Sequence, residues 1–134
     1  MIFLDTGFFV ALLEHRDELH GRAAAWGLRL PKPAIVTEYV LWETLNFFVP
    51  KAGRIKAVQL VEHLRSDPTY VCVSASPELF DAGVRLYRAR ADKRWSLTDC
   101  ISFQLMSDRA ITQALTFDQH FEQAGFEALL RREP

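Results

Sequence analysis

The segment Tyr70-Val71-Cys72-Val73-Ser74-Ala75-Ser76-Pro77-Glu78 joins the clearest strand pattern of this sequence to a well-marked helix start. Its β-branched and aromatic residues favour a strand over residues 70–73. Ser76 is a suitable N-cap and Pro77 suits the first helical turn, so a helix is expected from there to about Arg90. The segment therefore predicts one strand that is followed directly by one helix.

The same alternation of strand and helix recurs along the chain. Further strands are predicted at residues 2–4, 34–36 and 114–116, and the pattern allows a fifth at 126–130. Further helices are predicted at 6–13, 17–30, 37–49, 54–65, 96–108 and 118–124, with Pro50 and a turn at Gly53 separating 37–49 from 54–65. Strands separated by helices favour a parallel sheet with helices on both faces. The predicted fold is an α/β three-layer sandwich with a short parallel sheet of four to five strands, in a single domain over residues 1–134.

The composition limits the class of protein. The chain has 134 residues, of which 49% are hydrophobic and 25% are charged, and its formal net charge is −1. These values fit one folded domain, exclude a disordered chain and argue against an overall basic surface. Two cysteines are too few for a disulfide framework, and no apolar run reaches the ~18 residues of a membrane span. We therefore expect a cytoplasmic protein with no membrane association.

Three aspartates fall near the ends of predicted strands. Asp5 directly follows residues 2–4, and Asp118 follows residues 114–116. Asp99 lies in the first turn of the helix that leads into the strand predicted at residues 114–116. Ligands bind at the carboxyl ends of the strands in open parallel sheets, so these acids should share one edge. Each could instead cap a helix, and Ser96 with Asp99 has the spacing of a capping box.

Glu43 lies deep within a predicted helix, where no capping role is available to it. Its helical neighbours, including Val40 and Phe47, make its face largely apolar. An unpaired buried carboxylate is costly, so Glu43 would need a cation, a partner such as Arg54 or an orientation toward solvent. Four carboxylates in one cleft would repel each other unless a divalent ion joined them. Oxygen ligands suit Mg²⁺ or Mn²⁺ better than zinc.

The four acids lie in sequence segments that share a family likeness. The segments are Phe3-Leu4-Asp5-Thr6, Val40-Leu41-Trp42-Glu43, Trp95-Ser96-Leu97-Thr98-Asp99-Cys100 and Leu115-Thr116-Phe117-Asp118. In order and spacing they resemble the PIN domain family over essentially the whole chain, and above all the small single-domain members that include the VapC toxins of toxin–antitoxin pairs. The resemblance implies a metal-dependent ribonuclease with an acidic quartet at Asp5, Glu43, Asp99 and Asp118.

The resemblance also implies finer roles. Asp5 and Asp99 would be direct metal ligands, with Glu43 and Asp118 as direct or water-mediated ones. Glu38 competes with Glu43 for the second position of the quartet, but the alignment through Val40 and Leu41 favours Glu43. The family often carries a serine or threonine two residues after the first aspartate, where this chain has a glycine, Gly7. Supporting hydroxyls are therefore sought at Thr6, Ser96 and Thr116.

The implied reaction needs metal ions and cations that bind RNA. One or two Mg²⁺ or Mn²⁺ ions would activate water for in-line attack on an RNA phosphodiester and stabilise the developing charge. Phosphate neutralisation dominates nucleic-acid affinity, and a basic cluster precedes the predicted 96–108 helix. Its members are Arg85, Arg88, Arg90, Lys93 and Arg94. His120, close to Asp118, is assigned a surface role. The resemblance further implies an antitoxin protein as a partner and a homodimer.

Two other functions compete with this interpretation. A Mg²⁺-dependent phosphatase of the haloacid dehalogenase type would need a second aspartate at position 7, and the sequence has neither that residue nor a glycine-rich phosphate loop. A non-catalytic PIN-like module that binds RNA or protein would keep the acids as helix caps. The presence of all four carboxylates favours the nuclease.

Overall fold

The strands form a single parallel sheet. The computed structural model describes residues 1–134, apart from the side chain of Lys51. The strands are β1 (Ile2–Leu4), β2 (Ala34–Thr37), β3 (Tyr70–Val73), β4 (Gln113–Leu115) and β5 (Glu127–Ala128). They pair in the order β3-β2-β1-β4-β5, so that β1 lies at the centre between β2 and β4. The predicted parallel sheet of an α/β sandwich is confirmed.

Helices connect the strands and flank the sheet. They are α1 (Thr6–Leu13), α2 (His20–Leu28), α3 (Glu38–Phe47), α4 (Lys51–Ser66), α5 (Pro77–Ala89), α6 (Leu97–Asp108) and α7 (Gln119–Gln123), and a 3₁₀ turn at Leu129–Arg131 follows β5. Ser76 caps α5 by accepting a hydrogen bond from the Leu79 amide at 3.1 Å, as the sequence predicts. Across the described residues, no helix combines the length and apolar character that crossing a bilayer requires.

The glycine at position 53 serves packing and not a turn. The sequence predicts a turn at Gly53 and a helix from Arg54, whereas α4 begins at Lys51, directly after Pro50. A Cβ atom on residue 53 would approach Cδ1 of the buried Phe48 to 2.8 Å. The predicted turn is therefore wrong, since residue 53 lies inside α4. A glycine is needed there because a larger residue would collide with the Phe48 ring.

Other boundaries shift by a few residues. α2 begins at His20 and not near residue 17, because Asp17 forms a turn in which its carboxylate accepts a hydrogen bond from the Leu19 amide at 2.8 Å. The predicted strand at 126–130 is reduced to β5 and the 3₁₀ turn after it. Neither change moves a predicted site residue away from its sheet edge.

Aromatic packing holds α6 and α7 against the sheet. The Phe121 ring of α7 lies 6.3 Å from Phe3 of β1 and 4.8 Å from Phe103 of α6, between ring centroids. Trp95 packs edge-on against Phe103 at 5.0 Å and donates its indole N–H to Gln123 at 3.1 Å. This cluster fixes the N-terminal ends of both helices near the carboxyl ends of β1 and β4.

Candidate functional site

Residues from distant parts of the chain meet at the carboxyl ends of β1 and β4. These strands pair with Leu4 opposite Leu115, and the Asp5 amide donates a hydrogen bond to the Leu115 carbonyl at 3.3 Å. Asp5 and Thr116 are therefore the first residues beyond two adjacent strands. The strands that precede Asp5 and Asp118 are therefore adjacent, as the expectation of one shared edge for the acids requires.

Asp5 is buried and held by a threonine. Its Oδ2 atom accepts a hydrogen bond from the Thr116 hydroxyl at 2.8 Å, and the same hydroxyl oxygen accepts from the Asp118 amide at 3.0 Å. Asp5 is 7% exposed, and Thr116 is fully buried. Although Asp5 directly precedes α1, its side chain makes no capping hydrogen bond to that helix. The capping alternative is therefore wrong for Asp5.

The environment of Asp5 disfavours its charge. Burial raises the pKa of Asp5 to about 7, and the hydrogen bond from Thr116 opposes this rise. The negative charges of Asp99 and Glu43 contribute to this rise, but less than burial does. Asp99 and Glu43 are thus near enough to act on Asp5 electrostatically, and a cation at this position would relieve the repulsion.

Asp99 occupies the first turn of α6 in a complete capping box. The Asp99 amide donates to the Ser96 hydroxyl at 3.0 Å, and the Ser96 amide donates to Oδ2 of Asp99 at 3.1 Å. The predicted cap is confirmed, and it fixes the carboxylate at the sheet edge. Burial and the charge of Asp118 raise the pKa of Asp99, while the bond from Ser96 and the nearby His120 lower it.

Asp118 and His120 complete a compact cluster. Asp118 caps α7 by accepting a hydrogen bond from the His120 amide at 2.8 Å. The Nδ1 atom of His120 lies 3.3 Å from Oδ2 of Asp99 and 3.3 Å from Oδ1 of Asp118. One ligand atom from each of these three residues lies within 4.8 Å of the others. Asp99 and Asp118 therefore combine their capping roles with a shared site.

His120 is the residue that the sequence analysis missed. It was assigned to the surface, whereas the structure places its half-buried ring between two carboxylates. The signal was its position in the first turn of α7, two residues after Asp118. That position becomes informative only when α6 is known to pack against α7, which sequence spacing does not reveal.

Glu43 is exposed, which agrees with one alternative left open by the sequence, an orientation toward solvent, and not with the largely apolar surroundings expected for it. α3 turns Val40, Leu41 and Thr44 into the core, and Glu43, on the flank of that buried face, is exposed. There it lines a cleft between α3, α5 and α6. The suggested partner Arg54 instead donates its Nε–H to the Val49 carbonyl at 2.7 Å. Glu43 is therefore an open carboxylate at the margin of the acidic site.

Glu38 has a structural partner elsewhere. Its Oε1 atom accepts a hydrogen bond from the Ala75 amide at 2.6 Å, between β3 and α5. This bond ties the beginning of α3 to the beginning of α5. Glu38 is therefore engaged in a structural contact, and the assignment of Glu43 to the second position of the quartet stays a prediction.

The donor set fits a hard divalent cation. Asp99, Asp118 and His120 offer converging ligand atoms, and Asp5 is joined to them through Thr116. Such a set, rich in carboxylate oxygen, suits Mg²⁺ or Mn²⁺. The Thr6 hydroxyl, beside Asp5, is buried and has no hydrogen-bond partner among the described residues. An orphaned hydroxyl is costly, so this position also favours an added polar group such as a water or an ion.

The predicted basic cluster lies partly around one hollow. Arg88, Arg90, Lys93 and Arg94 line a space of about 750 Å³ with Tyr87 and Trp95. Arg90 is paired with Asp92, with an Nε–Oδ1 distance of 2.9 Å, and lies over the Trp95 ring at 5.1 Å from its centroid. Arg85 is exposed on α5 and does not line this hollow. The hollow lies beside the beginning of α6, which carries Asp99.

Comparisons with known proteins identify relatives of the whole chain. VapC20 of Mycobacterium tuberculosis, named a 23S rRNA-specific endonuclease, is 29% identical over an alignment 137 residues long, and the alignment covers 94% of this chain and 95% of VapC20. The crystal structure of VapC20, a toxin that cleaves the sarcin–ricin loop, superposes with a TM-score of 0.86 and 26% identity over 94% of this chain and 96% of that one.

A second solved structure shares the fold at lower identity. FitAcB of Neisseria gonorrhoeae is 18% identical, with a TM-score of 0.64 over 96% of this chain and 95% of that one. The model of the PIN domain family matches residues 2–127. The protein is thus homologous to the VapC20 ribonuclease, and its chain belongs to the PIN domain family.

Proposed function

We propose that this protein is a divalent-metal-dependent endoribonuclease that hydrolyses RNA phosphodiester bonds and acts as the toxin of a VapBC-type pair. The observation that carries the proposal is the meeting of Asp5, Asp99 and Asp118 at one sheet edge, linked by Thr116 and His120. Helix caps alone do not require acids from distant segments to lie side by side. Their mutual repulsion is a cost that a bound cation removes.

The acidic residues would hold the ion together. Asp5, Asp99 and Asp118 are the proposed ligands, with Glu43 as a direct or water-mediated ligand from the open side. When bound, Mg²⁺ or Mn²⁺ supplies positive charge that activates water and stabilises the charge developing on the phosphate. Homology to a ribonuclease and the oxygen-rich donor set support this assignment.

The surrounding side chains orient the carboxylates. Thr116 donates to Asp5, and Ser96 fixes Asp99 through the capping box. The Nδ1 atom of His120 lies 3.3 Å from a carboxylate oxygen of both Asp99 and Asp118, so that the ring helps to hold these two side chains in place. Preorganised ligands need little rearrangement when an ion binds, and outer partners of this kind raise metal affinity.

The basic cluster is proposed to bind RNA phosphates next to the cleavage site. Arg88, Lys93 and Arg94 line the hollow beside α6, where a bound RNA backbone would pass toward Asp99. Arg90 is paired with Asp92 and is expected to contribute less. Arg85, which lies outside the hollow, is proposed to contact the backbone farther from the acids. Neutralised phosphates make such binding sensitive to salt.

A structured loop of ribosomal RNA is the first substrate to test. The relative VapC20 is named as specific for 23S rRNA and as cleaving the sarcin–ricin loop. Its similarity extends over nearly the full length of both chains. We therefore propose an exposed ribosomal hairpin loop as the substrate class.

We also propose that the protein forms a homodimer, binds a protein antitoxin and is located in the cytoplasm. The dimer is supported by an exposed apolar surface at the α3–α4 junction, here called the α3–α4 patch. Its members are Phe47, Val49, Ile55 and Val58, which are 46–58% exposed. Exposed apolar groups that cluster on a protein surface commonly mark an interface. Sedimentation of the wild-type protein should give a dimer, and Ile55→Glu should give a monomer.

Metal-dependent cleavage of RNA tests the proposed function. A hairpin with the sarcin–ricin loop and a pool of structured RNAs are incubated with Mn²⁺, with Mg²⁺ or with EDTA. Cutting should require the metal, and Asp99→Asn should reduce it by more than about 100-fold while an asparagine oxygen still caps α6. Glu78→Gln is the matched control, because Glu78 also lies in a first helical turn but away from the acidic site.

Two outcomes would contradict the nuclease. Cutting that persists in EDTA or in Asp99→Asn would come from a different site or a contaminant. No cutting, together with no rise in melting temperature on addition of Mn²⁺, would favour the non-catalytic module, because an ion that binds the native state must stabilise it.

A further inference from the structure

The Phe117 side chain is attached to the backbone between two parts of the acidic site. Before it, the Thr116 hydroxyl donates to Asp5 at 2.8 Å, and the Thr116 carbonyl accepts from the Leu130 amide at 3.1 Å. After it, Asp118 belongs to the cluster of carboxylates and histidine. Consecutive Cα atoms are about 3.8 Å apart, so the residue at position 117 lies at the rim of the acidic site on a fixed backbone.

The Phe117 ring is open to solvent in spite of this position. It is 42% exposed, whereas Thr116 before it is fully buried. A single exposed apolar side chain is common on protein surfaces and does not by itself mark a binding site. The arginine that lies over this ring, Arg131, is what distinguishes it from other exposed apolar side chains.

Arg131 is held against the ring by three contacts. Its guanidinium carbon lies 4.7 Å from the centroid of the Phe117 ring, and its Nη1 atom donates to the Phe117 carbonyl at 3.1 Å. Its Nε atom lies 3.2 Å from Oε1 of Glu122. The guanidinium and the ring thus form one ordered unit, here called the Phe117–Arg131 pair. A surface that is already ordered loses little entropy when a ligand binds to it.

The chemistry of the pair favours a flat aromatic ligand over a phosphate. Glu122 offsets the charge of Arg131, and the Phe117 ring offers no hydrogen-bonding group. Both groups are instead suited to stacking, since unpaired RNA bases stack on aromatic rings and on guanidinium planes. The basic cluster that is proposed to bind the RNA backbone belongs to α5 and to the segment before α6. The pair would therefore contact a different part of the RNA.

We propose that the Phe117–Arg131 pair stacks one unpaired base of the RNA next to the scissile phosphate. Phe117 provides the stacking surface, and Arg131 is a positioning residue that holds the ring. A base that stacks on the protein is withdrawn from the stack of its RNA neighbours, and this leaves the adjoining phosphate open to the acidic residues. The inference rests on the proposed ribonuclease function and gives a physical reason for a substrate with unpaired loop bases.

Cleavage kinetics of Phe117 variants test the inference. Phe117→Ala should lower kcat/KM for a cleaved RNA hairpin by about 5- to 100-fold, as expected for the loss of one stacked base. Phe117→Leu should show nearly the same loss, because leucine is apolar but has no ring, whereas Phe117→Tyr should keep most of the activity. Leu28→Ala is the control, since Leu28 is 89% exposed and lies on α2, which carries none of the proposed metal ligands. Circular dichroism should show native folding for all four variants, because each replaced side chain is exposed.

Removal of the base supplies a readout that a purely structural role of Phe117 would not move. RNA substrates are made with an abasic nucleotide at each position beside the cut in turn. At one position, the wild-type protein should lose as much kcat/KM as Phe117→Ala loses with the intact RNA. Phe117→Ala should lose no more at that position, because the ring and the base make a single contact. Arg131→Lys keeps the charge without the planar guanidinium, and it should lose part of the same coupling.

The outcomes separate the inference from the proposed function. If the wild-type protein cuts neither the hairpin nor the RNA pool with Mn²⁺ or Mg²⁺, both fail together. If it cuts and Phe117→Ala keeps the wild-type rate, the inference alone is overturned. The inference is also overturned if the losses from Phe117→Ala and from the abasic nucleotide multiply at every position, because the ring would then act on the protein and not on a base. A changed sedimentation coefficient of Phe117→Ala without coupling to any base would assign the ring to a protein contact and would overturn the inference as well.

Discussion

The acidic site has two sides that are built differently. On the strand side, Asp5 is 7% exposed and accepts a hydrogen bond from the fully buried Thr116 at 2.8 Å. On the helix side, Glu43 is exposed on α3, and no hydrogen bond or ion pair holds its carboxylate within the described part of the chain. One carboxylate is fixed and desolvated, and the other is open to water.

The difference indicates what each side contributes to the binding of a cation. A buried carboxylate is costly to ionise, and the pKa of Asp5 is accordingly raised to about 7. The hydrogen bond from Thr116 fixes the position of this carboxylate, so a cation meets a ligand that is already in place. An exposed carboxylate costs little to ionise but is neither positioned nor shielded from solvent. We therefore expect the strand side to determine geometry and the helix side to add charge.

Replacement of Asp5 should have the largest effect and should separate activity from stability. Asp5→Asn removes a desolvated charge while its oxygen still accepts the Thr116 hydroxyl. We expect cleavage to fall by more than about 100-fold, while the metal-free protein at pH 8 melts at a higher temperature than wild type. Kinetics and calorimetry of the same samples measure both changes.

Asp67→Asn is the control for this substitution. Asp67 accepts hydrogen bonds from the amide and hydroxyl of Thr69, at 2.9 and 2.7 Å, and these bonds lower its pKa. Its replacement should reduce stability slightly and leave cleavage unchanged. If Asp5→Asn were also to reduce the stability of the metal-free protein, burial of the Asp5 charge would not destabilise the folded state.

Removal of the Thr116 hydroxyl should have the next largest effect. Thr116→Val breaks the bond to Asp5 and leaves the Asp118 amide without its acceptor, so we expect a loss of about 1–3 kcal/mol in unfolding free energy. Cleavage should fall by about 10- to 100-fold, as for other outer partners of metal ligands. Denaturant melts and kcat/KM measure the two quantities.

Thr44→Val is the matched control, because Thr44 is also fully buried and its hydroxyl donates to the Val40 carbonyl at 2.8 Å. It should alter stability without a specific loss of cleavage. Equal losses of activity in both variants would mean that Thr116 acts through general stability and not through Asp5.

The sequence was sufficient to predict the sheet and most of the acidic residues near the carboxyl ends of its strands. Asp5 and Asp118 could be placed because each follows a short strand, and Asp99 because Ser96 marks the beginning of α6. The parallel order follows from the alternation of strands and helices. These inferences depend on local sequence patterns, because local hydrogen bonds determine where α6 and α7 begin.

The parts that failed depend on packing between elements. Glu43 was expected on a buried apolar face, but the side of α3 that enters the core is set by Val40, Leu41 and Thr44. Gly53 was interpreted as a turn, because its contact with Phe48 is not visible in the sequence. His120 was assigned to the surface, because only the docking of α7 on α6 brings it to Asp99.

The pH dependence of stability gives a smaller test of the strand side. Asp5 in the folded protein has a pKa of about 7, raised from 3.8. The folded state therefore binds more protons than the unfolded state between these values, and this contribution to stability is present below about pH 4 and lost as the pH rises through 7. The raised pKa of Asp99 acts in the same direction.

Melts of the metal-free protein between pH 4 and 8 measure this contribution. The slope for a single proton is at most about 1.4 kcal/mol per pH unit, and Asp5→Asn should flatten it. Addition of Mn²⁺ at pH 7.5 should restore stability, because the cation favours the ionised carboxylates. A wild-type profile that coincides with that of Asp5→Asn would place the Asp5 charge in a solvated environment.

Replacement of Glu43 should have the smallest effect, and its size decides how unequal the two sides are. Glu43→Gln keeps the shape of an exposed side chain and removes one charge near Asp5. Because solvent and salt screen that charge, we expect cleavage to fall by no more than about tenfold, with an unchanged melting temperature and a loss that shrinks at high salt. Glu62→Gln, at an exposed position of α4, controls for the change in net charge. A loss for Glu43→Gln as large as that for Asp5→Asn would mean that Glu43 swings inward to bind the cation directly, so that exposure in the metal-free structure does not predict the strength of the contact.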